Sequence, residues 1–80
     1  MMLSAQVSLY PLRQERLSPA IELLSKRLAA AGLQPVVGPM STVVTGEADA
    51  LFAALRDAFL QAAAAGHVVM TVTVSNACPV

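Results

Sequence analysis

The sequence has a single cysteine, a single histidine and no tryptophan among its 80 residues. One cysteine, Cys78, cannot form an internal disulfide, and without a CxxC pair nothing in the sequence indicates a zinc-binding or redox role. One histidine and one cysteine are also too few to predict a structural metal site. We therefore expect a protein without a bound metal or cofactor.

Charge of either sign is scarce as well. The chain has five basic and five acidic residues and a formal net charge of +0 at pH 7. No stretch concentrates Lys and Arg on one face, so the positive surface that a phosphate backbone requires is missing. We expect that nucleic acid is not a partner of this protein.

Long apolar runs are absent, although 56% of the residues are hydrophobic. Charged residues such as Arg56 and Asp57 interrupt the apolar stretches, which stay well short of the ~20 residues that cross a bilayer. The first six residues lack the basic start and the apolar core of a secretory signal. From these features we expect no membrane span and a cytoplasmic location.

The length and the apolar content of the chain together indicate whether it associates with other copies. The chain is long enough for one domain, 1–80, but a domain this small buries only roughly 60 to 65% of its unfolded surface. Apolar residues in excess of what a small core can hold favour association with other copies. We expect a homo-oligomer, either a dimer or a tetramer.

Hydrophobic periodicity divides the chain into strands and helices. Alternation of apolar and polar residues, which is strict over 3–10, predicts half-buried strands over 3–10 and 67–76. Two short β-branched runs, 34–37 and 40–45, flank the turn residues Gly38 and Pro39 and predict a hairpin. Helical periodicity fills the two intervals between these segments.

The first predicted helix begins at Ser18-Pro19 and ends near Ala31, where Gly32 can adopt the left-handed conformation of a C-cap. The second follows Gly46-Glu47 and ends near Ala65. Its apolar stripe is predicted to consist of Leu51, Phe52, Leu55, Ala58, Phe59 and Ala62.

The order of elements is β-α-β-β-α-β, which predicts an α+β protein with the ferredoxin-like fold. In this arrangement two helices cover one face of a four-stranded antiparallel sheet, and the first strand lies between the third and the fourth. The opposite face is left open, so the outward side chains of these three strands form one surface.

Hydroxyl and amide side chains dominate that open face. The first strand contributes Gln6, Ser8 and Tyr10, and the last contributes Thr71, Thr73 and Ser75. The third strand contributes either Thr42 and Val44 or Val43 and Thr45. Neutral donors and acceptors suit a neutral heterocycle or another polar small molecule. A threonine-rich face is also typical of a solvated surface or of a subunit interface, so composition alone leaves these interpretations open.

Catalytic signatures are missing from the sequence. No two of the five carboxylates are placed for acid and base roles, and phosphate-loop and nucleophile-elbow motifs are absent. We therefore expect a protein that is not an enzyme. One alternative is a ligand-free assembly or regulatory module of the same fold. Another is a small dimeric α+β enzyme that uses His67 and Tyr10 as acid and base groups.

Three segments together resemble the YkoF-like family: SAQVSLYP at 4–11, MSTVVTGE at 40–47 and VSNACP at 74–79. The resemblance implies a ferredoxin-like domain that binds thiamin or its hydroxymethylpyrimidine moiety during uptake or salvage of thiamin precursors, without a catalytic step. It also implies association through the sheet. The candidate ligand-binding residues are Gln6, Ser8, Tyr10, Thr42, Thr73 and Ser75.

The two possible ligands differ in charge. Thiamin carries a positive thiazolium ring, and the predicted face has no evident carboxylate. Glu47 or the ring of Tyr10 would have to favour the cation. The uncharged hydroxymethylpyrimidine moiety is therefore the ligand that suits the sequence better.

Overall fold

The structure of the protein is a computed structural model, and it describes residues 1–12, 18–38 and 41–77. The polar connection predicted around Arg13 to Arg16, as well as Met40 and Cys78, lies outside these residues. No helix of the described part is both long and apolar enough to span a membrane.

The six elements follow the predicted β-α-β-β-α-β order. They are β1 (Met2–Pro11), α1 (Ser18–Ala30), β2 (Val36–Val37), β3 (Thr42–Glu47), α2 (Ala48–Ala64) and β4 (Val68–Ser75). The strands form one antiparallel sheet in the order β2-β3-β1-β4. This topology confirms the predicted ferredoxin-like fold, with β1 between β3 and β4.

The alternation of β1 decides which side of the sheet is buried. Leu3, Ala5, Val7 and Leu9 are at most 7% exposed and face the helices. On the helices the buried side chains recur at three- and four-residue spacing, as a stripe facing the sheet requires. They are Ala20, Leu24 and Leu28 of α1 and Leu51, Ala54, Leu55, Ala58 and Ala62 of α2.

The predicted stripe of α2 was wrong at one position. Phe52 is 51% exposed, whereas its neighbour Leu51 is fully buried. Successive residues of a helix are ~100° apart, so Phe52 lies beyond the edge of the stripe. Ala54, missing from the prediction, is buried instead. The contact side of α2 is thus lined by Leu51, Leu55 and three alanines, and Phe52 lies at its margin.

Two glycines occupy positions that disfavour a residue with a side chain, one after α1 and one in β3. Gly32 follows α1 with φ of 81°, the left-handed conformation that was predicted for the helix end. Gly46 is buried in β3, and a Cβ there would overlap the side chain of Leu33. The absence of a side chain at Gly46 therefore lets the segment after α1 pack closely on β3.

Candidate binding surface on the open sheet face

The strand register defines the residues of the open face, because directly opposed residues of antiparallel strands point to the same side of the sheet. Three successive rows of this face contain polar residues of the sequence-based prediction. Ser4 lies between Thr45 and Ser75, Gln6 lies between Val43 and Thr73, and Ser8 pairs with Thr71.

Thr42 does not belong to this surface. It is the Cα partner of Val7, which faces the helices, and it is only 3% exposed. The predicted position of Thr42 on the open face is therefore wrong. A strand with threonine and valine on both sides gives no clear alternation, and a shift of one residue exchanges its faces. Of the two alternatives for the third strand, Val43 and Thr45 are the residues on the open face.

A pocket of about 160 Å³ lies on the open face, toward the end of the strands that carries Ser75. Gln6, Thr73 and Ser75 line it, as do Ser4, Ala5 and Val43. Three of the six predicted binding residues are thus brought together. Ser4 and Val43 are additions that the sequence reasoning did not single out, although Ser4 is in phase with Gln6 in the alternation of β1.

Hydrogen bonds from β1 to β3 and to the residue just before β3 hold polar side chains of this region. The hydroxyl oxygens of Ser4 and Thr45 are 3.2 Å apart, and the amide nitrogen of Gln6 donates to the hydroxyl of Ser41 at 3.1 Å. The latter bond links the Gln6 amide on β1 to Ser41, the residue before β3, and so restricts the orientation of the amide. The pocket therefore offers uncharged donors and acceptors beside the apolar side chain of Val43.

Tyr10 and Ser8 lie toward the other end of the sheet from Ser75. Tyr10 is 39% exposed and pairs with Val69, two rows away from the pair formed by Gln6 and Thr73. Both are on the open face as predicted, but neither lines the pocket. An aromatic ring at Tyr10 can contact only a ligand that extends along the strands.

His67 precedes β4 near this same end and is exposed. Its backbone carbonyl accepts a hydrogen bond from the amide of Leu12 at 2.9 Å, which extends the pairing of β1 and β4. Within the described ranges 1–12, 18–38 and 41–77, no three His, Cys, Asp or Glu residues are grouped as a metal site would require.

Glu47 is the carboxylate at the Ser75 end of the open face, where it is the Cα partner of Met2. The N-terminal ammonium donates a hydrogen bond to its Oε1 at 2.6 Å. This hydrogen bond holds the pKa of the Glu47 carboxyl below its usual value. The negative charge of Glu47 is thus already paired with a cation.

The profile of the YkoF-related family matches residues 2–80 of the chain. The chain belongs to this family. The match covers all six elements of the fold and confirms the family resemblance inferred from the three sequence segments. A search of curated proteins found no match.

Solved structures share the fold of this YkoF-related chain. A hypothetical protein of Methanocaldococcus jannascii superimposes with a TM-score of 0.88 at 20% identity, covering 99% of this chain and 84% of the other. A protein of Streptococcus pneumoniae has a TM-score of 0.83 at 27% identity, and the match covers 94% of this chain and 86% of the other. A candidate thiamine biosynthesis or salvage protein of Thermotoga maritima has a TM-score of 0.81 at 17% identity, and the match covers 94% of this chain and 83% of the other.

Proposed function

We propose that this YkoF-related protein binds thiamin or its hydroxymethylpyrimidine moiety without chemical conversion, in the uptake or salvage of thiamin precursors. The observation that carries the proposal is the pocket on the open face, where Gln6, Thr73 and Ser75 converge beside Val43. A thiamin-related role is also suggested by the family and by the Thermotoga maritima neighbour.

The chemistry of the pocket suits the pyrimidine part of thiamin. An aminopyrimidine has ring nitrogens that accept hydrogen bonds and an amine that donates them, and its hydroxymethyl group does both. Hydroxyls such as those of Thr73 and Ser75 can serve either partner, and the Gln6 amide has both a donor and an acceptor atom. Val43, which is 45% exposed, provides an apolar contact for the ring.

Charge favours the neutral ligand over thiamin itself. Glu47 is the only carboxylate at this end of the open face among the described residues, and the N-terminal ammonium already neutralises it. A thiazolium ring would have to compete with that ammonium for Glu47, or reach the distant ring of Tyr10. Hydroxymethylpyrimidine needs neither contact, so we propose that it binds with the higher affinity.

The size of the pocket supports a homo-oligomer as the working form. A volume of about 160 Å³ is below the ~300–1,000 Å³ of typical small-molecule sites. A single copy would therefore leave much of the ligand in solvent. We propose that another copy supplies the remaining contacts, as a dimer or a tetramer related by two-fold symmetry allows.

Calorimetric titration of the folded protein with hydroxymethylpyrimidine and with thiamin tests this proposal. Saturable binding, tighter for hydroxymethylpyrimidine, is the expected result. No heat and no thermal shift with either compound would contradict the proposal and favour the ligand-free assembly module. Turnover of a bound pyrimidine that is abolished in His67→Ala, with affinity unchanged, would instead favour the enzyme alternative.

A further inference from the structure

Two of the polar side chains that line the pocket already form hydrogen bonds within the protein. The amide nitrogen of Gln6 donates to the hydroxyl of Ser41 at 3.1 Å, and the hydroxyl oxygen of Ser75 accepts from the backbone amide of Ala77 at 2.9 Å. Each bond uses one kind of hydrogen-bonding capacity of the side chain and leaves the other kind for a ligand. The two bonds therefore give the pocket a direction.

The Gln6 side chain is held with its nitrogen toward Ser41. An amide carries its donor and its acceptor on the two branches of one planar group, so the bond from the nitrogen leaves the oxygen Oε1 on the branch away from Ser41. Gln6 is exposed and lines the pocket, which gives a ligand access to this oxygen. At Gln6 the pocket thus presents a hydrogen-bond acceptor.

Ser41 is itself held by the turn between β2 and β3. Its backbone carbonyl accepts a hydrogen bond from the amide of Gly38 at 2.8 Å, and a Cβ at Gly38 would lie only 3.2 Å from that carbonyl oxygen. Ser41 also lies two positions before Val43, the Cα partner of Gln6, and so on the same face of the sheet. The turn therefore keeps the Ser41 hydroxyl within reach of the Gln6 amide.

Ser75 has the opposite role. Its hydroxyl oxygen accepts the amide hydrogen of Ala77, two residues further on, in the kind of local turn that serine side chains form. The hydroxyl hydrogen is not used by this bond and can be donated to a ligand. Ser75 lines the same pocket as Gln6. The pocket thus presents an acceptor on β1 and a donor on β4.

We propose that these two internal hydrogen bonds set the ligand preference of the pocket, and that Ser41 is the positioning residue that makes it select an aminopyrimidine over the corresponding oxopyrimidine; this rests on the proposed function. In an aminopyrimidine the amine donates a hydrogen bond and the neighbouring ring nitrogen accepts one. That order matches an acceptor at Gln6 and a donor at Ser75. A carbonyl in place of the amine puts a hydrogen on the ring nitrogen and reverses both directions.

The reversed order leaves polar groups of the pocket without partners. The carbonyl of an oxopyrimidine would face the Gln6 oxygen, two acceptors without a hydrogen between them, and a site that positions its polar groups for one ligand rejects such an analogue. Ser41→Ala releases the Gln6 amide, which can then rotate and offer its nitrogen to the carbonyl. The variant should therefore gain affinity for the oxopyrimidine, an effect that a mere loss of stability does not produce.

Calorimetric titration with hydroxymethylpyrimidine and with its oxo analogue, on the wild-type protein, Ser41→Ala and Ser41→Thr, tests this role. We expect the wild-type protein to bind the amino compound roughly 10-fold more tightly, as the loss of one hydrogen bond to an unpaired acceptor implies. In Ser41→Ala the two affinities should approach equality. Ser41→Thr keeps a hydroxyl and should keep the wild-type ratio. An unchanged ratio in Ser41→Ala, or an equal loss of preference in Ser41→Thr, would overturn the proposal.

The outcomes for the wild-type protein separate this proposal from the proposed function. No saturable binding of either compound would overturn both, whereas equal affinities for the two compounds would overturn the role of Ser41 alone. NMR of the wild-type complex needs no substitution, should a variant fail to fold. We expect a nuclear Overhauser effect between the side-chain amide protons of Gln6 and the β protons of Ser41. Its absence in the complex with hydroxymethylpyrimidine would also contradict the proposed role.

Discussion

Gln6 and Thr73 are direct partners across β1 and β4, and both line the pocket on the open face. This pairing brings an amide and a hydroxyl that are 67 positions apart in the sequence into one pocket. The strand order makes this possible, because β1 is central and β4 returns beside it. The proposed recognition of a pyrimidine depends on this relationship.

Thr73→Val should weaken the binding of hydroxymethylpyrimidine. Valine keeps the branched shape of threonine but cannot form a hydrogen bond, and a net loss of ~0.5–1.5 kcal/mol lowers affinity roughly 2- to 13-fold. Calorimetric titration measures this change. Thr71→Val is the control, since Thr71 is on the same face of the same strand but does not line the pocket. Equal losses of affinity in both variants would contradict the assignment of the pocket.

Thr42→Val should leave ligand affinity unchanged. Thr42 is buried on the helix side of the sheet, opposite Val7, and has no access to the open face. The same titration, performed on a variant whose folding has been verified by circular dichroism, checks this expectation. A loss of affinity comparable to that of Thr73→Val would mean that the ligand binds beneath the sheet.

Leu24→Ala should destabilise the protein by about 2–5 kcal/mol, as buried leucine truncations generally do. Leu24 is 1% exposed and packs in the core between α1 and the sheet. Urea unfolding at a fixed protein concentration measures the change in the free energy of unfolding. Leu12→Ala removes the same atoms from a side chain that is 45% exposed and should cost much less. Equal effects would contradict the described core.

The pairing of Glu47 with the N-terminal ammonium should be visible in a pH titration. The pKa of the Glu47 carboxyl is lowered, mainly by that hydrogen bond. The stabilisation is therefore present above the pKa of the unfolded chain and is lost as the pH falls through the lower, folded value. Carbon-detected NMR of the side-chain carboxyl measures the pKa, and acetylation of the N-terminus should raise it. A pKa unaffected by acetylation would exclude the pairing.

The sequence was sufficient to predict the architecture because β1 and β4 both alternate, β1 strictly, and the helices begin and end at recognisable residues. The two-residue period of β1 was enough to assign its apolar residues to the core, namely Leu3, Ala5, Val7 and Leu9. The faces of β3 were harder to assign from the sequence, since Thr42 and Val43 are both compatible with either face. Only the pairing with β1 decides between them.

The candidate site could be predicted only in part for a related reason. Gln6, Thr73 and Ser75 were found because period and topology together place them on one face. Ser8 and Tyr10 share that face but lie farther along the strands. The alternation of residues predicts the face on which a side chain lies, but it does not predict where along a strand a pocket forms. The exposure of Phe52 likewise depends on how α2 sits over β4, which helical periodicity does not specify.

The most direct test of the proposed function is an NMR titration of the isotope-labelled wild-type protein with hydroxymethylpyrimidine. We predict saturable shifts of the amide signals concentrated at Gln6, Val43, Thr73 and Ser75, with smaller shifts at Thr42 and on α1. Saturable shifts confined to other parts of the fold, or no shifts at high ligand concentration, would contradict the proposal that the open face binds this ligand.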